Sequence, residues 1–332
     1  MRYRKLGSTD IFVSEVSCGG IPIQKLNEKE ASELVDAMIE KGINFIDTAR
    51  GYTNSEVLFG SALKGRREKF YIATKSMART YDGMKKDIEI SLKNLQTEYI
   101  DLYQMHNVKK DEDISGALLA LKEAKEFGKI KHIGITSHSK ESIEKWLDCI
   151  DIETIQFPYN FLEIDAENVF ERALKLNKGV IVMKPLAGGV IDNASIALKY
   201  ILKNKNVSCA IPGMESVEQI YENSSLDIYE LSCEEEKYIL DMQESLEKDF
   251  CHRCGYCLPC SKGIDIPSCF MFYGYYKRYG LNEWAGTRYN AMKVKASECV
   301  ECGLCEKKCP YNLKIIAKLK EVVEVLENAR NE

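Results

Sequence analysis

Residues 43–75 read INFIDTARGYTNSEVLFGSALKGRREKFYIATK and contain one complete strand, helix and strand. Ile43 to Asp47 is a short apolar run of the kind a buried strand uses. Asn54 to Lys64 then places apolar residues at three- and four-residue intervals, and Phe70 to Lys75 is a second short run. The same alternation extends in both directions. Further runs are Val16 to Gly19, Ile100 to Met105, His132 to Thr136, Thr154 to Phe157, Val180 to Lys184 and Ser208 to Ile211. Helical patterns lie at Lys29 to Lys41, Gly83 to Leu95, Ile114 to Phe127 and Lys140 to Cys149. A spacing of roughly 25 to 30 residues per repeat is that of βα units. Eight of them predict an α/β chain closed into a (β/α)8 TIM barrel. A doubly wound open sheet would carry a glycine fingerprint after its first strand, and the residues there are Ser17-Cys18-Gly19-Gly20-Ile21-Pro22. Tyr3 to Val13, with the turn-like Gly7 to Asp10, is expected to form a hairpin closing the bottom of the barrel.

With 332 residues, 45% hydrophobic and 29% charged, the chain can bury a barrel of about 250 residues and leave a tail of under about 100. The expected division is a barrel over 1–248 and a tail over 249–332, because composition changes abruptly near Phe250 to Cys260. No apolar run approaches the ~18 to 20 residues that span a bilayer. Met1 to Val13 is polar and unlike a secretory leader, so the chain reads as cytoplasmic with no membrane partner. A net charge of -5, with lysines interleaved with acidic residues, is no nucleic-acid footprint.

Active sites of (β/α)8 barrels gather at the C-terminal ends of the strands. Asp47 ends the second predicted strand and Lys75 the third, His106 follows the fourth, and Tyr52 enters the loop after Asp47. Carbonyl reduction needs a proton at oxygen as hydride reaches carbon. A tyrosine titrates near ~10, and a neighbouring ammonium lowers that value toward working pH. In this arrangement Tyr52 would be the general acid and Lys75 would supply the charge. Asp47 would keep Lys75 protonated, and His106 would orient the substrate oxygen. Singly, each has a plain structural reading, such as helix capping for an aspartate that ends a strand. Together, at successive strand ends, they make a site.

Gly42 to Ala49, Gly51 to Glu56, Ala73 to Ser76 and Tyr99 to His106 resemble the aldo-keto reductase superfamily, over roughly residues 1 to 225. The resemblance implies reversible NAD(P)H-dependent reduction of an aldehyde or ketone, with the family tetrad on Asp47, Tyr52, Lys75 and His106. It also implies a dinucleotide site. Ser137, Gln156 and Asn160 would hold the nicotinamide end. Lys184, Pro185, Leu186 and Gly188 match a turn that wraps the pyrophosphate, and Gly213, Gln219 and Asn223 match the adenosine loop and helix. Three departures stand out. His138 follows Ser137 where the family often has Asn, Met183 replaces a stacking Tyr, and Met214 to Gln219 holds Glu215 rather than a base for a 2′-phosphate. NAD and NADP both stay open.

Of thirteen cysteines, eight fall into two tight groups after residue 250. Cys251, Cys254, Cys257 and Cys260 are each three apart, whereas Cys299, Cys302, Cys305 and Cys309-Pro310 repeat the bacterial ferredoxin run. Two 4Fe-4S clusters are expected in a mostly helical, dicluster ferredoxin-like domain. In such runs the fourth cysteine serves the other cluster, which pairs Cys309 with the first group and Cys260 with the second. A tetrathiolate zinc site is the alternative. Cys18, Cys149, Cys209, Cys233 and Cys269 are scattered and read as buried or half-buried thiols. The aromatic-rich stretch Ile264 to Ser297 is expected to pack around the clusters, and the amphipathic Leu313 to Leu326 to dock the tail. The chain thus reads as a carbonyl reductase of an anaerobe that carries clusters. The alternative is an electron-transfer module in which the clusters relay electrons between a protein partner and a substrate in the barrel, without a visible flavin fingerprint.

Overall fold

The computed structural model describes residues 1–226, 229–246 and 250–328. The chain forms two compact units, 1–187 with 193–231 and 188–192 with 232–332. The expected boundary at 248 lies outside the described residues.

In the first unit, β1 (Tyr3–Lys5) and β2 (Phe12–Ser14) pair antiparallel, Tyr3 opposite Ser14. Eight parallel strands follow: β3 (Cys18–Gly19), β4 (Phe45–Asp47), β5 (Tyr71–Ser76), β6 (Ile100–Met105), β7 (Ile130–Thr136), β8 (Thr154–Pro158), β9 (Gly179–Met183) and β10 (Cys209–Ala210). Each pairs with its sequence neighbour. Bridges from Val16 to Ala210 and from Gly19 to Gly213 join the last strand to the first, so the sheet closes. One helix follows each strand: α1 (Glu28–Lys41), α2 (Ser55–Ala62), α3 (Tyr81–Leu95), α4 (Ser115–Glu126), α5 (Lys140–Trp146), α6 (Glu167–Lys175), α7 (Ala194–Lys203) and α8 (Val217–Ser224). The start of α1 shows how locally these boundaries are written. Asn27 accepts from the Glu30 amide at 3.0 Å while Glu30 accepts from the Asn27 amide at 2.8 Å, and Gly42 ends the helix at φ 74°.

Strand residues alternate between two cores. Outward residues such as Ile46, Ile72, Tyr103 and Met105 pack with the helices. Inward residues Phe45, Ala73, Leu102, Ile181 and Cys209 meet Leu6, Ile11 and Val13 of the hairpin, which seal that end of the barrel. Gly7 bridges Lys178 with φ 59°, and a Cβ on it would lie 2.1 Å from the Gly179 nitrogen, so only glycine fits. One inward step further along the strands, the layer turns polar: Asp47, Lys75, Gln104 and Gln156 all lie within it, with Lys75 in register opposite Gln104.

The second unit is helical: α9 (Cys233–Leu246), α10 (Ile266–Lys277), α11 (Asn282–Asn290), α12 (Leu304–Lys308) and α13 (Ile315–Val323). Ile315, Leu319, Val322 and Leu326 form the buried stripe of the last segment. They pack with Ile264, Ile266, Cys269 and Tyr289, beside Cys257 and Cys305. Aromatic residues of the insert pack on one another, Tyr275 against Trp284 at 5.1 Å and against Tyr279 at 5.3 Å. Helix α9 groups with this unit, and among its described residues Ile239 alone is buried. Cys233 departs from the expected burial. It opens α9 and is exposed, whereas Cys18, Cys209 and Cys269 are buried and Cys149 is half-buried.

Candidate active site

Period-two alternation sets the polar layer at the strand ends. Asp47, Lys75 and Gln104 each stand two residues beyond an inward apolar residue, namely Phe45, Ala73 and Leu102. Lys75 is buried, and its Nζ donates to Asp47 Oδ2 at 2.5 Å and to the Thr48 carbonyl at 2.7 Å. Burial lowers the Lys75 pKa from its ordinary value, and the Asp47 carboxylate works against that shift. Asp47 is held in turn by Gln104 Nε2 at 3.2 Å and Gln156 Nε2 at 3.4 Å, and Gln104 also donates to Gln156 Oε1 at 2.9 Å.

Tyr52 is buried over this pair, its ring centroid 5.0 Å from Lys75 Nζ and 6.0 Å edge-on from the His106 ring. The structure therefore brings all four residues of the expected tetrad together. Burial pushes His106 well below the ordinary histidine range, and the Lys75 and Arg79 cations push the same way, so the ring is neutral at pH 7. Its Nδ1 and the Oε1 of Gln104 are buried atoms without a hydrogen-bond partner. Buried polar atoms are normally satisfied, and such a pair beside a tyrosine marks where a polar ligand group could sit.

Of the expected dinucleotide residues Gln156 lies inside β8, Gln219 and Asn223 lie in α8 and the others follow β7 to β10, and several are already engaged. Ser137 donates to the Val108 carbonyl at 2.8 Å and accepts from the Ser139 amide at 3.1 Å. Asn160 donates to Glu163 at 2.9 Å and to the Lys184 carbonyl at 3.1 Å, and accepts from the Leu162 amide at 2.9 Å. Lys184 has φ 54° and begins the turn with Pro185 and Leu186. Gly188 continues that turn at φ 73°, and its carbonyl accepts from Arg278 Nε at 2.7 Å. A Cβ on Gly213 would meet Pro22 at 2.8 Å. In α8, Gln219 accepts from the Glu215 amide at 2.8 Å and Asn223 is buried. The turn at Lys184 and the capped start of α8, where Ser216 accepts from the Gln219 amide at 3.3 Å, are backbone features suited to phosphates.

Linear reading passed over three residues here. Gln104 could have been found, since it shares the inward face with His106 two residues later. Arg79 donates to the His106 carbonyl at 2.7 Å, and Lys25 pairs with Glu215; both contacts are made by residues far apart in sequence.

In the second unit the cysteines rim two cavities. Cys251, Cys254, Cys257 and Cys309 line one, with Phe250, Ile266 and Phe270. Cys260, Cys299, Cys302 and Cys305 line the other, with Ile266 and Leu319. Each cavity therefore takes three thiols from one run and the remaining one from the other. Among the described residues no group of three His, Cys, Asp or Glu side chains is placed to hold a single metal ion. Four thiols line each hollow, which is the ligand number of a 4Fe-4S cluster.

Two family models match the chain. One, described as the aldo/keto reductase family, matches residues 16–195, and one described as a 4Fe-4S dicluster domain matches residues 250–314. An uncharacterized oxidoreductase, YqkF of Bacillus subtilis, is 31% identical over 218 residues, covering 60% of this chain and 71% of that protein. L-galactose dehydrogenase of Arabidopsis thaliana is 28% identical over 275 residues, covering 66% and 86%. The holo structure of an aldo-keto reductase from Bacillus halodurans superposes with a TM-score of 0.66 at 28% identity, covering 73% of this chain and 96% of that one. No described helix is long and apolar enough to cross a membrane.

Proposed function

This chain belongs to the aldo/keto reductase family, and from that premise we propose that it is an NAD(P)H-dependent oxidoreductase reducing an aldehyde or ketone, with Tyr52 as general acid. The observation that carries the reading is the buried Asp47–Lys75 pair facing Tyr52 and His106. The family uses NAD(P)H, which supplies hydride to the carbonyl carbon when bound.

Tyr52 gives its phenolic proton to the carbonyl oxygen, so that one C–H and one O–H bond replace the carbonyl π bond. Lys75 stabilises the phenolate as the proton leaves, and Asp47 with the Thr48 carbonyl keeps Lys75 charged and fixed. His106, kept neutral, hydrogen-bonds the substrate oxygen. Ser137, Gln156 and Asn160 serve the nicotinamide end, Lys184, Pro185, Leu186 and Gly188 the pyrophosphate, and Gly213, Gln219 and Asn223 the adenosine end. The two thiol cavities hold one 4Fe-4S cluster each, on Cys251, Cys254, Cys257 and Cys309 and on Cys299, Cys302, Cys305 and Cys260. The reading includes a cytoplasmic location in an anaerobe.

Tyr52→Phe tests it. Anaerobic assays that follow nicotinamide absorbance with a panel of aldehydes and ketones should lose about 10²- to 10⁴-fold in kcat. Unchanged turnover would remove Tyr52 from the chemistry.

One observation favours a second reading, an electron-transfer module in which nicotinamide is secondary and a protein partner feeds the clusters. The side chains of Ser137, Gln156, Asn160 and Gln219 all make intramolecular bonds. Anaerobic titration of cluster-replete protein with NADPH and then NADH separates the two. Binding without bleaching of the iron-sulfur absorption leaves the barrel as the whole catalyst, and bleaching makes it a link between two redox pools.

A further inference from the structure

The two thiol-lined cavities are built on matching backbone. Cys254 in the first run stands between Arg253 at φ 56° and Gly255 at φ 81°, and Cys302 in the second stands between Glu301 at φ 53° and Gly303 at φ 72°. Left-handed residues in such turns let successive backbone amides face an anion. Each run then sends its last cysteine to the other cavity. Cys260 joins Cys299, Cys302 and Cys305, and Cys309 joins Cys251, Cys254 and Cys257. The correspondence ends at the residue after that cysteine. After Cys309 it is Pro310, which has neither a hydroxyl nor a backbone N–H to give. After Cys260 it is Ser261.

Ser261 reaches across to the second run, its hydroxyl oxygen 3.5 Å from Cys302 Sγ, a hydrogen-bond distance for sulfur. Ser261 and Lys262 are the central residues of a tight turn closed by the Gly263 amide, which donates to the Cys260 carbonyl at 2.9 Å. The turn therefore presents the hydroxyl beside the cysteine that enters this cavity. Among the residues lining the cavity, Ser261 alone carries a hydroxyl and Lys262 alone a formal charge. A free thiol could give or take this bond. A cysteine sulfur bound to iron has lost its proton and can only accept, which leaves Ser261 as the donor.

We propose that Ser261 donates a hydrogen bond to the Cys302 sulfur and thereby raises the reduction potential of the cluster held by Cys260, Cys299, Cys302 and Cys305. The proposal rests on that ligand assignment. One-electron reduction adds negative charge that the cysteine sulfurs share, so a donor placed there binds more strongly as the electron arrives and favours the reduced state. An electron enters, no covalent bond is made or broken, and Ser261 keeps its proton. The contact faces solvent and water competes for it, so the effect is modest, roughly three- to tenfold on the one-electron equilibrium, or about 28–59 mV. With Pro310 at the corresponding place, the bias falls on one cluster and draws an electron entering this unit toward it.

The test is anaerobic potentiometry of the full-length, cluster-replete protein, poised with dithionite and redox mediators and read by electron paramagnetic resonance, after iron and acid-labile sulfide analysis. Ser261→Ala should lower one of the two midpoint potentials by the stated shift and leave the other in place. Ser261→Thr, which keeps the hydroxyl, should hold both at the parent values. Ser261 is exposed in its turn, so the alanine variant should fold, and Ser261→Gly takes its place if clusters are lost. Both potentials unchanged in Ser261→Ala, both lowered alike, or Ser261→Thr falling with it would overturn the proposal. Cluster loss in the alanine and glycine variants alike would make Ser261 a structural residue and overturn it too. A parent protein with one cluster or none would instead overturn the ligand assignment, and the proposal with it. Carbonyl reductase activity plays no part in these readouts.

Discussion

Lys75 and Asp47 have side chains only 1% and 3% exposed, where an unpaired charge costs several kcal/mol. Each is tolerable because the other is present and because Thr48, Gln104 and Gln156 take up the remaining hydrogen-bonding capacity. Lys75→Met should therefore destabilise the first unit by about 3–5 kcal/mol, since it strands the Asp47 carboxylate, and Asp47→Asn added to it should restore a large part. Urea unfolding of the single and double variants measures this; a Lys75→Met protein as stable as the parent would mean that Asp47 takes up a proton at little cost. The charged members of this group are legible in the sequence as polar residues closing apolar runs. Gln156 is named there only through the family resemblance and Gln104 is traceable from its place two residues before His106, but that both brace Asp47 shows only once the strands are set in register.

At the scale of elements, the hairpin β1–β2 shows how a segment of little intrinsic stability is held. Its apolar residues plug the barrel interior, and Asp10 in its turn reaches His132 of β7, whose ring contacts Asp10 Oδ1 at 2.7 Å and Glu153 Oε1 at 2.7 Å. Burial disfavours the charged ring, but the two carboxylates outweigh it and raise the His132 pKa, while the Glu153 value falls to about 2. The raised pKa sets the sign. His132 contributes stability in full below its unfolded value of about 6.5, and that contribution is lost as pH rises through the higher folded value. His132→Asn should thus be less stable than the parent at pH 6, by no more than about 1 kcal/mol because Asp10 is largely exposed, and the gap should close by pH 9. Thermal melts at the two pH values check it, and a gap that widens with pH would reverse the assignment. The hairpin itself is legible from Gly7 to Asp10, whereas the His132 contact spans most of the barrel and leaves no local pattern.

For the molecule as a whole, each thiol-lined cavity of the second unit is lined by cysteines from both runs. Cys309→Ser should remove the iron held with Cys251, Cys254 and Cys257 and spare the set containing Cys260, halving the bound iron per chain. Loss of the other set instead, measured by iron analysis and by which cysteines become alkylated, would show uncrossed ligation. The sequence by itself determined the barrel and the order of its βα units, and it singled out Asp47, Tyr52, Lys75 and His106, which the structure brings together, and the eight cysteines that line the two cavities. These follow from period-two and 3.6-residue patterning and from short fixed spacings, which are local. Only the tertiary structure decided which glutamines brace Asp47, that α9 and Gly188 go with the second unit, and that Lys25 meets Glu215. The physical reason is that these contacts join residues brought close by chain closure and packing, which composition and periodicity do not encode.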